Sequence, residues 1–225
     1  QMDFSVSGNG DVQGHGTHCA GTIFGRDVNN VRIGVAKGVT QALIGKVLGD
    51  NGSGDSAMIF KGIQWAVNEG ARVISMSLGF DFPGLVKELI AGGWPADLAT
   101  SAALEGYRGN LRMFDALMTM VQANAAFTGG TVLVAAAGNE SKRNIDPNHE
   151  IGVSIPAAAN DIVSVGALES TPAGLKIASF SNTGPIISGP GVKITSAKAG
   201  GGLVDFNGTS MATPHVAGCA ALWWE

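Results

Sequence analysis

Charged residues are scarce in this chain of 225 residues: 14 Lys and Arg and 18 Asp and Glu make up 14% of it and give a formal net charge of −4. The longest basic run is the pair Lys142-Arg143. Nucleic-acid binding needs clustered Lys and Arg, so we expect no nucleic-acid partner. Hydrophobic residues make up 45% of the sequence, which excludes an intrinsically disordered chain.

Cysteine is rare as well, since Cys19 and Cys219 are the only two in the sequence, too few for a disulfide framework. We expect both to be small buried residues on two helices, and their spacing does not tell whether they pair. No apolar run is long enough to cross a membrane. The longest charge-free stretch, residues 116–139, is interrupted by polar residues and by Gly129-Gly130, so no membrane partner is expected.

Glycine is abundant, with 34 residues, about twice the usual share, so many backbone positions need a positive φ or a close approach. Short β-rich apolar segments alternate with longer amphipathic ones. This pattern predicts one α/β domain over residues 1–225, in three layers, with a mostly parallel sheet and helices on both faces. The predicted strands are residues 42–48, 73–76, 131–135, 162–165 and 192–196, and the predicted helices are residues 56–69 and 97–126.

Three short segments combine glycines with isolated polar side chains: residues 14–21, 135–140 and 208–218. Ser210 precedes a run that is apolar nearly all round, so we predict that it begins a buried helix, with Pro214 in the first turn. Backbone N–H groups at a helix start favour negative charge, which suits a nucleophilic serine. The structural alternative is a simple N-cap serine.

Two further residues supply what a serine nucleophile needs. His15, between two glycines at the start of a predicted small-residue helix, is placed as a general base would be. Asn139 follows a predicted strand and a glycine, so its amide could donate to a developing oxyanion. Taken singly, each residue is as readily explained by a structural role.

Together, segments 15–21 and 208–218 resemble the two best-known signatures of the subtilisin-like serine proteases, and Asn139 lies between them in the family's order. The resemblance covers the chain from about residue 8 onward. It implies a subtilisin-like α/β fold, an extended polypeptide substrate, no required cofactor and a secreted or extracellular location.

The resemblance also assigns catalytic roles. Ser210 would attack the peptide carbonyl, and His15 would take and return the proton. Asn139 and the Ser210 backbone N–H would form the oxyanion hole.

The same resemblance suggests a peptide-binding cleft. Gly52-Ser53-Gly54 resembles one edge strand of the family's cleft and Ser77-Leu78-Gly79 the opposite one, so an extended substrate would lie between them. Two ordinary surface turns are the alternative. The specificity pocket would be walled by Ala136-Ala137-Gly138, with Ser154 near its base and Glu140 at its rim. No charge lies at its floor, which favours apolar or bulky side chains before the scissile bond.

The family's catalytic aspartate is missing from this pattern. It would lie on a strand well before the histidine, but only 14 residues precede His15. Neither Asp3 nor Asp11 stands in such a context, and Asp11 resembles the acidic loop residue of many relatives. We expect the chain to be truncated at both ends, with the aspartate in an absent N-terminal segment or in a second chain. An inactive pseudo-protease or peptide-binding fragment is the alternative.

An insertion around residues 80–110 also departs from the family pattern and leaves from the substrate-binding edge. We predict that this stretch rims the upstream subsites as a flap, with Phe80, Phe82 and Trp94 as contacts. A structural elaboration packed away from the cleft is the alternative.

The sequence offers candidate ligands for two kinds of metal site. The resemblance raises a structural calcium ion in loop 26–32 with Asp27 as a ligand, although two arginines in that loop oppose it. A metal hydrolase is the alternative from another mechanistic class, but no His-Glu-x-x-His or Cys-x-x-Cys pattern supports it. Its ligands would come from His15, His18, Cys19, His215 and Cys219.

Overall fold

The computed structural model describes residues 1–224, apart from the side chain of Thr128. Strands and helices alternate up to residue 76, three helices follow, and six successive strands then precede the last described helix. The strands are β1 (Met2–Asp3), β2 (Gly45–Lys46), β3 (Val73–Met76), β4 (Val132–Ala136), β5 (Val163–Thr171), β6 (Gly174–Ile177), β7 (Ile187–Pro190), β8 (Ile194–Ala197) and β9 (Leu203–Phe206). The helices are α1 (His15–Phe24), α2 (Ser56–Asn68), α3 (Phe82–Ala91), α4 (Ala96–Ala123), α5 (Ala125–Thr128) and α6 (Thr209–Trp224).

The central sheet is mostly parallel. Strands β3, β4 and β5 pair in parallel in that order, β7 pairs in parallel with β5, and β6 forms an antiparallel hairpin with β5. Strands β1 and β2 form a separate parallel pair, and β8 and β9 form an antiparallel pair. The sequence prediction of an α/β fold with a mostly parallel sheet is therefore confirmed.

Helices cover both faces of this sheet, as β4 shows most clearly. Leu133 and Ala135 point into a core that α2 and α4 complete, and Val134, between them, points into a second core with residues of α6. All three side chains are fully buried. Because successive side chains of a strand face opposite sides, the two cores lie on opposite faces and give the three layers that the sequence predicts.

Several predicted bounds differ from the structure. The segment 42–48 forms only β2, because a strand exists where it has a partner and β1 offers two residues. The strand predicted at 162–165 continues to residue 171, since β6 folds back along it. The helix predicted at 97–126 is divided at Asn124 into α4 and α5.

Helix α3 lies in the predicted insertion, at residues where the sequence analysis gave no helix. Pro83 and Gly84 are typical of a loop, but Pro83 lies in the first turn of α3, where a missing N–H costs nothing. The side chain of Asp81 accepts a hydrogen bond from the Gly84 N–H at 2.8 Å and caps the helix. The predicted insertion, residues 80–110, is therefore mainly helical and comprises α3 and the first half of α4.

Candidate active site

Ser210 is the second residue of α6, as predicted, but Pro214 lies beyond the first turn of this helix. In an α-helix the N–H of Pro214 would bond to the Ser210 carbonyl, and proline has none. The Ser77 hydroxyl donates to that carbonyl oxygen instead at 2.7 Å, and the Cys19 thiol does so at 3.5 Å. The irregularity in α6 thus fixes Ser210 against the segment that follows β3.

The Ser210 side chain is half-buried, and its hydroxyl donates to the Ser77 carbonyl oxygen at 3.4 Å. Its backbone N–H lies in the first turn of α6, where N–H groups have no helical partner. A negatively charged oxygen beside Ser210 would therefore meet an unpaired donor and the positive end of a helix.

Asn139 is held beside this helix start by Thr209. The side-chain oxygen of Asn139 accepts hydrogen bonds from the Thr209 N–H at 2.8 Å and from its hydroxyl at 3.0 Å. The Thr209 hydroxyl in turn accepts from the Gly138 N–H at 3.2 Å. Because the side-chain oxygen of Asn139 is engaged, its NH₂ group is left to donate to other groups. The Asn139 side chain is exposed, and an NH₂ group is the kind of donor that an oxyanion needs.

His15 begins α1, which packs against α6. Within residues 1–224 no hydrogen bond joins the His15 ring to Ser210. Burial lowers the pKa of His15, the nearby Asp11 charge acts in the opposite direction, and His18 adds to the lowering. Burial thus favours the neutral imidazole, which is the form that can accept a proton.

Asp11 caps the start of α1. Its carboxylate accepts hydrogen bonds from the Gly14 N–H at 2.8 Å, the Thr17 N–H at 2.6 Å and the Thr17 hydroxyl at 2.7 Å. Burial opposes its ionisation, but these hydrogen bonds outweigh it and keep the pKa of Asp11 below the usual value. Both carboxylate oxygens are engaged at the helix start, so Asp11 does not hold the His15 ring as a triad member would.

Asp3 is the other carboxylate near the histidine in the sequence. It accepts hydrogen bonds from the Ser5 N–H at 2.8 Å, the Ser5 hydroxyl at 2.6 Å and the Gly8 N–H at 2.8 Å. The Ser5 hydroxyl makes the largest contribution to a lowered pKa of Asp3, and a nearby Lys46 contributes as well. These hydrogen bonds of Asp3 thus stabilise the local turn of residues 3–8.

The predicted cleft residues fall into two groups. Gly52-Ser53-Gly54 forms an exposed turn with no strand, closed by a hydrogen bond from the Gly49 N–H to the Ser53 carbonyl at 2.8 Å. Ser77-Leu78-Gly79 directly follows β3 and contacts α6 through Ser77. The role of both segments in binding a substrate stays a prediction.

The predicted pocket residues lie together. Ala136 ends β4, and Ser154 is joined to the next residue by a hydrogen bond from its N–H to the Ala137 carbonyl at 2.9 Å. The Ser154 hydroxyl is buried without a hydrogen-bond partner. A Cβ atom would lie 2.8 Å from this oxygen at Gly79 and 3.0 Å from it at Gly138. Glycine at these two positions therefore lets Ser154 fill the space between both segments, and the predicted preference for bulky side chains stays a prediction.

Residues 80–110, the predicted insertion, form an apolar surface near these residues. Phe80 and Phe82 pack edge-on against the Tyr107 ring, with centroids 6.2 and 6.0 Å away, and the Tyr107 hydroxyl donates to the Val153 carbonyl at 3.4 Å. Trp94, between α3 and α4, is 47% exposed. A cavity of about 470 Å³ lies beside Phe82 and is lined by Phe82, Pro83, Val86, Lys87, Thr100 and Ile151.

The metal expectations find little support in the geometry. Both oxygens of Asp27 accept hydrogen bonds from Lys37, at 2.9 and 3.0 Å, so this carboxylate does not fit a calcium site as it stands. His18 is fully buried, bonded through Nε2 to the Ile194 carbonyl at 2.9 Å and stacked on Phe206. The described residues contain no group of three His, Cys, Asp or Glu side chains that could hold a metal.

The two cysteines differ. Cys19 is buried, and burial raises the pKa of its thiol to about 11. Cys219 is exposed, so the prediction that both are buried is wrong for this residue, and neither forms a disulfide. An apolar sequence on all sides of α6 gave no means of telling which side faces solvent.

Sequence reasoning missed two residues that hold the candidate oxyanion site, Thr209 and Asn182. Thr209 directly precedes the candidate nucleophile Ser210, and a polar side chain in that position is a signal that could have been used. Asn182 is buried and bonds to Gly138 and Glu140, the two neighbours of Asn139 in the sequence. Nothing near Asn182 in the sequence indicates this, because its partners lie on another segment.

Comparisons with known proteins agree with the resemblance to the subtilisin-like serine proteases. The subtilase family model matches residues 4–225. The thermostable alkaline protease of Halalkalibacterium halodurans is 36% identical over 214 residues, which are 94% of this chain and 47% of that protease. Subtilisin DY of Bacillus licheniformis is 35% identical over 216 residues, 95% of this chain and 64% of that protein. The chain therefore spans about half to two thirds of the length of these relatives.

A solved structure matches as well. The crystal structure of a cold-adapted subtilisin-like serine proteinase has a TM-score of 0.64 and 32% sequence identity, and the match covers 99% of this chain and 66% of that one. None of the helices described in residues 1–224 is both long and apolar enough to cross a membrane.

Proposed function

Since the chain belongs to the subtilase family, we propose that it carries the nucleophile, the general base and the oxyanion site of a serine endopeptidase. The observation that supports this most strongly is the joint geometry of Ser210 and Asn139. The Thr209 N–H and hydroxyl donate to the side-chain oxygen of Asn139 at 2.8 and 3.0 Å. Asn139 is thereby held beside the N–H of Ser210, which has no helical partner. A binding module would need neither this arrangement nor a neutral histidine on the adjacent helix.

The proposed reaction proceeds through an acyl-enzyme. Ser210 Oγ forms a bond to the peptide carbonyl carbon while its proton passes to His15, and the carbonyl oxygen becomes an oxyanion held by the Asn139 NH₂ and the Ser210 N–H. The C–N bond then breaks as His15 gives the proton to the departing amine. Water attacks the acyl group with His15 as base, which releases the carboxylic acid and restores the serine.

Covalent labelling tests the nucleophile directly. A serine-directed phosphonylating reagent should modify Ser210, found by mass spectrometry of the tryptic peptide, and should modify it more slowly in His15→Ala. The matched control is Ser188→Ala, which removes a serine of β7 and should leave the labelling unchanged. No label on Ser210, or equal labelling of many serines, would speak for the pseudo-protease alternative.

The third triad member, we propose, is a carboxylate supplied by a segment outside residues 1–225 or by a second chain. Within residues 1–224 the only strand neighbour of β3 is β4. The other side of β3, here called the open edge, therefore carries backbone groups that no described strand pairs. Ser75 in this strand has a buried hydroxyl without a hydrogen-bond partner.

The position of the open edge supports this proposal. The carboxyl end of β3 leads to Ser77, which binds Ser210. A strand added in parallel to the open edge would end beside these residues, so a carboxylate just after it would come near the reacting groups. Loss of the aspartate from such a triad lowers turnover by a factor on the order of 10⁴, so the chain alone should be very slow.

Complementation tests the open edge. Apolar peptides that end in Asp-Thr-Gly are added to the chain, with matched peptides that end in Asn-Thr-Gly, and hydrolysis of a chromogenic peptide is followed. We expect a gain in rate of at least about tenfold from the aspartate peptide alone, far below the full effect because the peptide is not tethered. Equal rates with both peptides would contradict this part of the proposal.

For the substrate, we propose an extended polypeptide whose upstream residues reach the apolar cavity beside Phe82. Val86→Trp should fill that cavity and lower kcat/KM for peptides with bulky apolar upstream residues more than for peptides with alanine there. The control is Ile90→Trp, on the same helix but outside the cavity lining. An equal effect of both variants on both peptides would favour the purely structural alternative for the insertion.

We also propose a secreted or extracellular location, which rests on family membership alone. Fractionation of the native host, with detection by an antibody against this chain, should find the protein in the medium. Detection in the cell fraction only would contradict it.

A further inference from the structure

Asn182 forms hydrogen bonds with Gly138, Glu140 and Ser141, which lie before and after Asn139 in the sequence. Its side-chain oxygen accepts hydrogen bonds from the Glu140 N–H at 3.0 Å, the Ser141 N–H at 3.1 Å and the Ser141 hydroxyl at 3.3 Å. Its backbone N–H donates to the Gly138 carbonyl at 3.1 Å. We call residues 138–141 the oxyanion loop.

The second polar group of the Asn182 side chain, its NH₂, contacts a carboxyl group. Its side-chain NH₂ donates to Glu140 Oε2 at 2.6 Å. Glu140 adjoins Asn139, the residue proposed to stabilise a negatively charged oxygen, and a free carboxylate there would repel that oxygen. Asn182 is 1% exposed, so these bonds form without competition from water.

We propose that Asn182 is a positioning residue that holds the oxyanion loop and keeps the Glu140 carboxylate away from the oxyanion; this inference rests on the proposed function. Thr209 fixes Asn139 from the side of α6, and Asn182 fixes the residues on either side of Asn139. The two contacts together set the direction of the Asn139 NH₂ group before a substrate arrives. Such pre-arranged donors stabilise a transition state without reorganisation.

A polarity exchange tests the link between Asn182 and Glu140. Asn182→Asp keeps the shape and the acceptor for the loop N–H groups, but it replaces the donor to Glu140 with a second carboxylate. Adding Glu140→Gln returns a donor to the pair, now from the other side. We expect Asn182→Asp to lower kcat about tenfold or more, with KM changed less than twofold, and the double variant to recover most of the loss.

The assay is Ser210-dependent hydrolysis of an activated ester by the full chain. An activated ester is used because it needs less catalytic assistance than a peptide bond. Ser164→Ala is the control for stability, because its buried hydroxyl accepts from one backbone N–H, that of Ile186, at 2.9 Å and bonds to no residue of the oxyanion loop. It should lower the melting temperature and leave kcat unchanged. In a second measurement, the side-chain NH₂ resonances of Asn139 should shift in Asn182→Asp and return in the double variant.

The outcomes distinguish a failure of the proposed function from a failure of the inference about Asn182. An ester rate that is the same in Ser210→Ala would overturn the proposed function and this inference with it. A Ser210-dependent rate that Asn182→Asp leaves unchanged would overturn the inference alone. A loss in Asn182→Asp that Glu140→Gln does not reduce would also overturn it, since the effect would then be one of stability.

Discussion

Ser77 and Ser210 exchange two hydrogen bonds: the Ser77 hydroxyl donates to the Ser210 carbonyl oxygen at 2.7 Å, and the Ser210 hydroxyl donates to the Ser77 carbonyl oxygen at 3.4 Å. The first bond exists because Pro214 has no N–H for that carbonyl. Ser77, which follows β3, thereby supplies a hydrogen bond that α6 lacks. It also ties Ser210, the candidate nucleophile, to the central sheet.

Removal of the Ser77 hydroxyl should destabilise the protein. Ser77→Ala leaves the Ser210 carbonyl with only the weak thiol donor of Cys19, and we expect the free energy of unfolding to fall by about 1 kcal/mol. Urea unfolding measures this. Ser77→Thr keeps the hydroxyl and should lose less, and an alanine variant as stable as the threonine variant would contradict the assigned role.

The two thiols should react very differently. Burial raises the pKa of Cys19 to about 11 and removes its thiol from solvent, whereas Cys219 is exposed. An aromatic disulfide reagent at pH 8 should therefore titrate one thiol in the native protein and a second one only in denaturant. Cys219→Ser should abolish the fast phase, and a fast phase that persists in this variant would show Cys19 to be accessible.

Stability should decrease in mild acid. Burial lowers the pKa of both His15 and His215, so below the ordinary value of about 6.5 the unfolded chain binds more protons than the folded one. The free energy of unfolding should be highest above that value and fall as the pH drops toward 5, measured by urea unfolding. In His15→Gln/His215→Gln the slope should be smaller, and an unchanged slope would assign the effect to other groups.

Two glycine substitutions should have opposite effects. A Cβ at Gly21 in α1 would lie 2.8 Å from Ala197 Cβ and 3.0 Å from its backbone N, so Gly21→Ala forces α1 away from β8 and should cost about 1 to 3 kcal/mol. Gly106 in α4 has no atom within 4 Å of such a Cβ. Gly106→Ala should stabilise by about 0.5 to 1 kcal/mol through helix propensity. Thermal unfolding of both variants checks the pair, and equal signs would refute it.

Local patterns in the sequence were enough for the fold class and for the family, both of which are confirmed. The strand at 73–76 and the helix that begins at Ser56 were predicted because their apolar spacing is visible within a few residues. Segments 15–21 and 208–218 carry the family resemblance for the same reason, since each forms a helix start whose glycines and polar residues are adjacent.

The features that the sequence did not predict depend on contacts that a local pattern does not show. Asn182 could not be recognised, because its role arises only when it meets residues 138–141. Helix α3 was missed because Pro83 and Gly84 are typical of loops, and the cap from Asp81 decides in favour of a helix. The exposure of Cys219 depends on which side of α6 the sheet covers.

The long-range origin of the candidate site has a consequence for the life of the molecule in a cell. Thr209, Asn182 and Ser77 reach their partners only when α6, the loop before β7 and the end of β3 have docked together. A collapsed but undocked copy would contain Ser210, His15 and Asn139 without the contacts that position Ser210 and Asn139. Newly made chains would thus acquire the candidate site only at the end of folding, so the site would be absent from each chain during synthesis.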